Sequence, residues 1–91
     1  MNVQKIFDVL HGNQDNTALG LICGELEEQG YKVNIDGREV TSAAIFDGDH
    51  KDLEDKLGPL AISLYKDGSL KQEFSLEFIG DHEVVIERKI E

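Results

Sequence analysis

Acidic side chains and a histidine are concentrated between residues 47 and 55, where they could hold a hard cation. The segment contains Asp47, Asp49, His50, Asp52, Glu54 and Asp55. Calcium prefers several carboxylate oxygens that converge from one loop. The spacing does not fit an EF-hand, because with Asp47 as first ligand the glycine position is Asp52 and the bidentate glutamate position is Gly58. We therefore expect a solvated run of charge without a bound metal.

A second group of potential metal ligands lies near the C-terminus. Asp81, His82 and Glu83 could form a mixed zinc site with His50 if the two segments met in space. Nothing in the sequence brings them together, and turn chemistry alone accounts for an aspartate at this position. The third histidine, His11, falls in the last turn of a predicted helix, where the helix dipole favours a positive charge. None of these residues predicts catalysis.

Motifs that would identify an enzyme are missing from the sequence. It contains no CxxC, no HExxH, no phosphate-binding glycine loop, no dinucleotide fingerprint and no nucleophile elbow. We therefore expect neither enzymatic activity nor a cofactor. Pairs of catalytic carboxylates are not recognisable in a sequence this acidic, so a small hydrolase or ligand-binding domain stays open as a weaker alternative that requires a pocket.

Length and charge limit the class of protein. The chain of 91 residues has no linker rich in Pro, Gly and Ser, so we expect a single domain over residues 1–91. Nineteen acidic and nine basic residues give a net charge of −10, which disfavours direct contact with nucleic acid or anionic lipid. No window approaches the roughly 18 apolar residues of a membrane span.

Cysteine usage and the N-terminal sequence bear on the compartment. Cys23 is the only cysteine and lies in an apolar helical pattern, so we expect a buried thiol in a reducing environment. The apolar N-terminal run is interrupted by Asp8 and has no small-residue cleavage site. These features predict a cytoplasmic protein that is neither exported nor inserted in a membrane.

Two segments show the i, i+3, i+4, i+7 spacing of an amphipathic helix. The first comprises Val3, Ile6, Phe7 and Leu10, and the second comprises Leu19, Ile22, Cys23 and Leu26. Gly12 and Gly30 are the expected stops, so the two helices form an αα-hairpin. Gly20 and Gly24 lie four residues apart in the second helix, which predicts the close approach of another backbone.

From Tyr31 the apolar period changes to two, as in a half-buried strand. Asp36-Gly37 predicts a type I′ hairpin that sets Val33 opposite Val40. The return strand is expected to continue through residues 43–46. Residues 47–58 are expected to form a loop and a short helix, with Asp49 as its cap and with Leu53 and Leu57 on its apolar side.

The last third of the chain predicts a three-stranded antiparallel meander. The register that keeps its apolar positions on one face uses three-residue loops at 66–68 and 80–82. This register pairs Leu64 with Leu70, Leu60 with Phe74, Phe78 with Val84, and Leu76 with Ile86.

Together these elements predict an α+β fold in two layers. The N-terminal αα-hairpin packs on one face of an antiparallel sheet built from the β-hairpin and the three-stranded meander, because that face is the only large apolar surface available. The opposite face carries polar residues and is expected to be wet.

The function that best fits this pattern is a small acidic, non-enzymatic protein-interaction domain. Its partner is expected to be another protein, basic in the simplest case, or a second copy of the chain. The alternative is an acidic nucleic-acid mimic that inhibits a basic DNA- or RNA-binding protein, although interspersed lysines interrupt any acidic stripe. The candidate interaction surface on the wet face comprises Ile45, Glu73, Glu77, Ile79, Val85 and Glu87.

Overall fold

The computed structural model describes residues 4–5, 18–79 and 83–90 and has the predicted mixed α+β class. Its elements are α1 (Ala18–Glu28), β1 (Lys32–Ile35), β2 (Arg38–Val40), α2 (Ser42–Phe46), α3 (Lys51–Glu54), β3 (Leu60–Lys66), β4 (Ser69–Ile79) and β5 (Glu83–Ile90). The strands form one open antiparallel sheet in the order β2-β1-β3-β4-β5.

The first helix of the predicted αα-hairpin falls mostly outside the described residues. Gln4 and Lys5 are helical, whereas Val3, Ile6, Phe7 and Leu10 are not described. The αα-hairpin therefore stays a prediction. Within the described part of the chain, no helix is long and apolar enough to cross a membrane.

The core lies between one face of the sheet and the helices. From the strands it contains Val33, Ile35, Val40, Leu60, Ile62, Leu64, Phe74 and Leu76. The helices contribute Leu19, Ile22, Cys23, Leu26, Ile45 and Leu53. Burial of each large aliphatic side chain contributes about 1.5–3 kcal/mol, so the shared apolar face is what holds the two layers together. The predicted apolar side of α1 is confirmed.

The two glycines of α1 accommodate α2. A Cβ atom at position 20 would lie 2.9 Å from the Phe46 ring, and one at position 24 would lie 3.8 Å from the Ser42 Cβ. The Glu27 carboxylate accepts hydrogen bonds from the Ser42 backbone N–H (3.0 Å) and hydroxyl (2.6 Å). Close packing therefore accounts for the glycine pair, although the group above Gly20 is an aromatic ring and not a backbone.

The prediction that the return strand continues through residues 43–46 is wrong, because these residues belong to helix α2. The Thr41 hydroxyl accepts a hydrogen bond from the Ala44 backbone N–H (3.1 Å), which is a standard N-cap. Glu27 and Thr41 thus accept hydrogen bonds from the Ser42 and Ala44 backbone N–H groups. In a strand, these N–H groups would have needed acceptors on a neighbouring strand. One consequence is that Ile45 points into the core.

The short helix predicted within residues 47–58 exists, but its details differ. It spans Lys51–Glu54 with His50, and not Asp49, at the N-cap. Leu53 is buried as expected, whereas Leu57 is 96% exposed. The helix has its C-cap at Asp55, so Leu57 lies beyond its end.

The first hairpin forms in the predicted register, with Val33 opposite Val40 and Ile35 opposite Arg38. Asp36 and Gly37 have φ values of 52° and 81°, the two positive values that a type I′ turn requires. The hairpin joins the meander through β1, where Val33 lies opposite Leu64.

The predicted register between β3 and β4 is wrong. Asp67-Gly68 forms a two-residue turn with φ values of 54° and 77°, so Lys66 pairs with Ser69 and Tyr65 with Leu70. A two-residue turn alone would put apolar residues on the wrong face. A bulge restores the pattern by adding Lys71 to β4, after which the pairs are Leu64–Gln72, Ile62–Phe74 and Leu60–Leu76.

The predicted register between β4 and β5 is confirmed, with Phe78 opposite Val84 and Leu76 opposite Ile86. Residues 80–82 of the connecting loop lie outside the described residues. Ile79 pairs with Glu83, which leaves three residues for that loop.

Deleting single residues from β4 tests the role of the bulge. Deletion of Lys71 removes only the extra residue, so we expect the free energy of unfolding to change by less than about 1 kcal/mol. Deletion of Ser75 places Glu73 in the core and Phe74 on the opposite face, at a cost of at least about 3 kcal/mol. Urea unfolding measures both values, and equal destabilisation by the two deletions would contradict the bulge.

Candidate interaction surface

The outer face of the sheet is the face turned away from α1 and α2. Side-chain alternation along the strands defines it, since neighbours of buried residues point to the opposite side. It comprises Lys32, Asn34, Glu39, Ala61, Ser63, Tyr65, Leu70, Glu73, Ser75, Glu77, Val85 and Glu87. All of these residues are partly or fully exposed, so the described structure leaves this face open.

One end of the outer face is acidic. Glu77 lies opposite Val85 across the β4–β5 pair, and Ser75 lies opposite Glu87. Val85 is 40% exposed between these carboxylates. We call Glu77, Val85 and Glu87 the acidic end; Glu73, also on the outer face of β4, lies nearer the centre of the face.

The structure places the six predicted surface residues in different environments. Glu73, Glu77, Val85 and Glu87 share the outer face. Ile45 does not belong to it, because Ile45 is on α2 and only 2% exposed within the core. The side chain of Ile79 lies outside the described part of the structure, although its backbone pairs with Glu83.

A shallow groove of about 540 Å³ occupies the opposite end of the outer face, beside the β3–β4 turn. Its lining includes Gly30, Lys32, Asn34, Glu39, Tyr65 and Lys66. Lys32 lies opposite Tyr65 across the β1–β3 pair, so the two side chains project from the same face of the sheet. The groove therefore combines the Tyr65 ring with two lysines and with the carboxylates of Glu39 and Asp67.

Lys66 is positioned by contacts at the rim of the groove. Its ammonium nitrogen lies 5.3 Å from the centre of the Tyr31 ring, within the range of a cation–π interaction. A Cβ on Gly30 would come within 3.2 Å of the Lys66 Cε, so glycine leaves room for this side chain. Within the described ranges, the ion pairs found are Arg38–Asp52 and Lys56–Asp36, and neither includes Lys32 or Lys66.

Sequence reasoning missed the groove. Lys32 and Tyr65 both fall at polar-face positions of strands whose apolar residues alternate. This pattern indicates that both side chains lie on the outer face. Their proximity depends on the pairing of β1 with β3, and the sequence does not indicate that pairing. The position of the Lys66 side chain over the Tyr31 ring likewise depends on tertiary packing, which the sequence does not indicate.

The acidic segment between residues 47 and 55 does not converge on a point. Asp47 caps the C-terminus of α2, and Asp52 forms a two-point ion pair with Arg38 at 2.8 and 3.2 Å. Among the described residues, no three His, Cys, Asp or Glu side chains are grouped as metal ligands. The mixed zinc site cannot be placed, because Asp81 and His82 are outside the described residues, as is His11.

Asp36 connects the β1–β2 turn to the start of β3. Its carboxylate accepts hydrogen bonds from the Lys56 ammonium group (2.8 Å) and from the Ala61 backbone N–H (2.9 Å). Its own N–H donates to the Ala61 carbonyl (2.8 Å). The Lys56 hydrogen bond, followed by the Ala61 hydrogen bond, lowers the pKa of the Asp36 carboxyl group.

Comparison with known proteins adds no functional information. No family model matches the chain, and neither the curated proteins nor the solved structures include a significant match.

The Asp36 contacts predict a pH-dependent stability. A lowered pKa in the folded state means that its stabilisation is present above the ordinary aspartate pKa and is lost as the pH falls through the lower, folded-state value. Asp36→Asn should lower the free energy of unfolding by about 1 kcal/mol near neutral pH, because it removes the charge paired with Lys56. The difference from the wild type should shrink in acid.

Asp67→Asn is the matched control, since Asp67 has a similar φ of 54° in the second Asp-Gly turn. Asparagine tolerates this left-handed conformation at both sites. Chemical unfolding at several pH values makes the comparison. Equal, pH-independent effects of the two substitutions would contradict the role given to Asp36.

The Cys23 thiol should be chemically inert in the folded protein. It is fully buried, and this desolvation, together with the nearby Glu27 charge, raises its pKa to about 12. We expect negligible alkylation by iodoacetamide at about pH 8 in native buffer and complete alkylation in denaturant. Mass spectrometry measures both, and rapid labelling of the native protein would show that the thiol is accessible.

Proposed function

We propose that this chain is a small non-enzymatic domain that binds another protein through the outer face of its sheet. The observation that carries the proposal is the openness of this face. The helices bury the opposite face, whereas the residues from Lys32 on β1 to Glu87 on β5 stay accessible. A sheet surface that the described residues do not cover is available to a partner.

The composition of the outer face suits a protein partner. Its centre carries the small residues Ala61, Ser63 and Ser75, which allow another surface to come close. Charged groups and aromatic surface lie around this centre, with Glu77 at one end and Lys32 at the other. Separated charges of both signs fix the orientation of a partner more than they increase its affinity.

The non-enzymatic part of the proposal is supported by how the reactive side chains are arranged. The groove is lined by lysine, tyrosine, asparagine, glutamate, aspartate and glycine, without a histidine or a cysteine. The Cys23 thiol is buried in the core, away from any open surface. A reducing compartment such as the cytoplasm belongs to the same proposal, since it keeps this thiol free.

The alternative, a mimic of nucleic acid, has weaker support. The carboxylates of Glu73, Glu77 and Glu87 follow two neighbouring strands, as a charge mimic requires. The same face carries Lys32 at its other end, and this charge would repel a basic nucleic-acid-binding groove.

Two alanine substitutions test the proposed surface. Ala61 is exposed at the centre of the outer face, and Ala43 is exposed on α2. Each is changed to arginine in an immobilised protein used to capture partners from a lysate of the source cells, with circular dichroism confirming the fold. Partners captured by the wild type should be retained by Ala43→Arg and lost, at least about tenfold, with Ala61→Arg. Equal capture by both variants would rule out the outer face.

A further inference from the structure

We infer that the partner of the outer face is a basic segment of another protein, which docks on the β4–β5 side of the face. This inference rests on the proposed function and specifies the chemistry of the partner. The segment supplies lysine or arginine side chains to Glu73, Glu77 and Glu87. Apolar side chains between its cations contact the exposed Val85.

The three glutamates project from the same face of two neighbouring strands. Glu73 and Glu77 are four residues apart on β4, so their Cα atoms are about 13 Å apart. Ser75, midway between them, lies opposite Glu87 on β5. Glu87 is therefore diagonal to both of the other glutamates, at about 7–8 Å. Like charges at this spacing repel one another, and cations of a partner would relieve that repulsion.

The charges on the rest of the outer face balance each other. Lys32 is on β1 and Glu39 is on β2, and the pairing of Asn34 with Glu39 makes Lys32 a diagonal neighbour of Glu39. One cation and one carboxylate thus share that side of the face. Apart from this pair, the charged residues of the outer face are the three glutamates. The excess negative charge of the face therefore lies on its β4–β5 side.

No described side chain forms an ion pair with the three glutamates. The ion pairs found among residues 4–5, 18–79 and 83–90 belong to Arg38 and Lys56, which lie outside the outer face. Lys71, two residues before Glu73, is exposed and forms no ion pair with it. In the strand register Arg88 has the phase of the buried face, and its side chain and that of Lys89 are outside the described part of the structure. The three carboxylates are therefore available to cations of a partner.

Apolar and small side chains beside the carboxylates favour a protein segment over a free cation. Val85 lies opposite Glu77 and is 40% exposed. Ser75 lies between Ala61 on one side and Glu87 on the other, and the small side chains of Ala61 and Ser75 let a partner backbone come close. A chain with apolar residues between its cations buries more of this surface than a free polyamine does.

The exposure of these charges predicts a weak complex that depends on salt. Glu87 is exposed, and Glu73 and Glu77 are partly exposed, so each contact with a cation stays close to solvent. The net charge of −10 adds long-range attraction for a basic partner. Affinity should therefore fall steadily as the ionic strength rises past about 0.1 M, where the Debye length is about 10 Å.

A titration followed by NMR tests the inference with a defined probe. The probe is a synthetic peptide in which lysine alternates with valine, and the control peptide alternates glutamate with valine. We expect the lysine peptide alone to shift amide signals, mainly in residues 73–77 and 85–87. Spermine represents free cations and is compared with a lysine peptide of equal charge. It should bind about fivefold more weakly, because it leaves Val85 exposed.

Two variants of equal net charge locate the site. The outer-face variant combines Glu73→Gln, Glu77→Gln and Glu87→Gln. The control combines Glu28→Gln, Asp49→Asn and Asp55→Asn, at three exposed positions outside the face. The lysine peptide should bind the outer-face variant at least about tenfold more weakly than the wild type and the control within about twofold of it. Circular dichroism checks the fold of both variants.

Equal weakening by the two variants would overturn the inference, because it would show that only net charge matters. Equal affinity for spermine and the lysine peptide would also overturn it, as would peptide binding that leaves residues 73–77 and 85–87 unshifted. The proposed function fails separately. If the lysine peptide does not bind but Ala61→Arg still loses a captured partner that Ala43→Arg retains, the inference is wrong and the outer face binds a protein that is not basic.

Discussion

The alternation of side chains along five strands is the constraint on which the rest of this structure depends. Only one face of the sheet can be apolar, because α1 and α2 cover only one face. Every strand must therefore keep its apolar residues in phase with its neighbours. Where a turn would break the phase, the chain inserts a residue, and Lys71 is the extra residue after the second Asp-Gly turn.

This constraint explains which parts of the fold could be predicted from the sequence. The first hairpin depends on a local dipeptide, Asp36-Gly37, and its register was predicted correctly. Between β3 and β4, the Asp67-Gly68 dipeptide favours a two-residue turn. Such a turn alone would place apolar residues of β4 on the wrong face of the sheet. The prediction satisfied the pattern by lengthening the loop, whereas the structure keeps the favoured turn and satisfies the pattern with a bulge. Local rules do not decide between these two solutions.

Long-range contacts account for the other differences. Helix α2 is stabilised by Glu27, which is 15 residues away from Ser42 in the sequence. A pattern-based prediction of residues 43–46 has no access to that hydrogen bond, and it consequently placed Ile45 on the wrong face. The groove likewise depends on the pairing of β1 with β3. The outer-face positions of Glu73, Glu77 and Glu87 can be predicted from the sequence, because they follow directly from side-chain alternation along β4 and β5.

The proposed interaction depends on the openness of the outer face, which α1 and α2 leave uncovered. Methyl relaxation by a soluble paramagnetic agent tests it directly on the dilute protein. We expect strong relaxation of the Ala61 and Val85 methyl groups and little relaxation of Ile62 and Leu64, which are buried on the opposite face. Protection of Ala61 and Val85 in the dilute protein would show that the chain covers its own outer face and would contradict the proposed interaction surface.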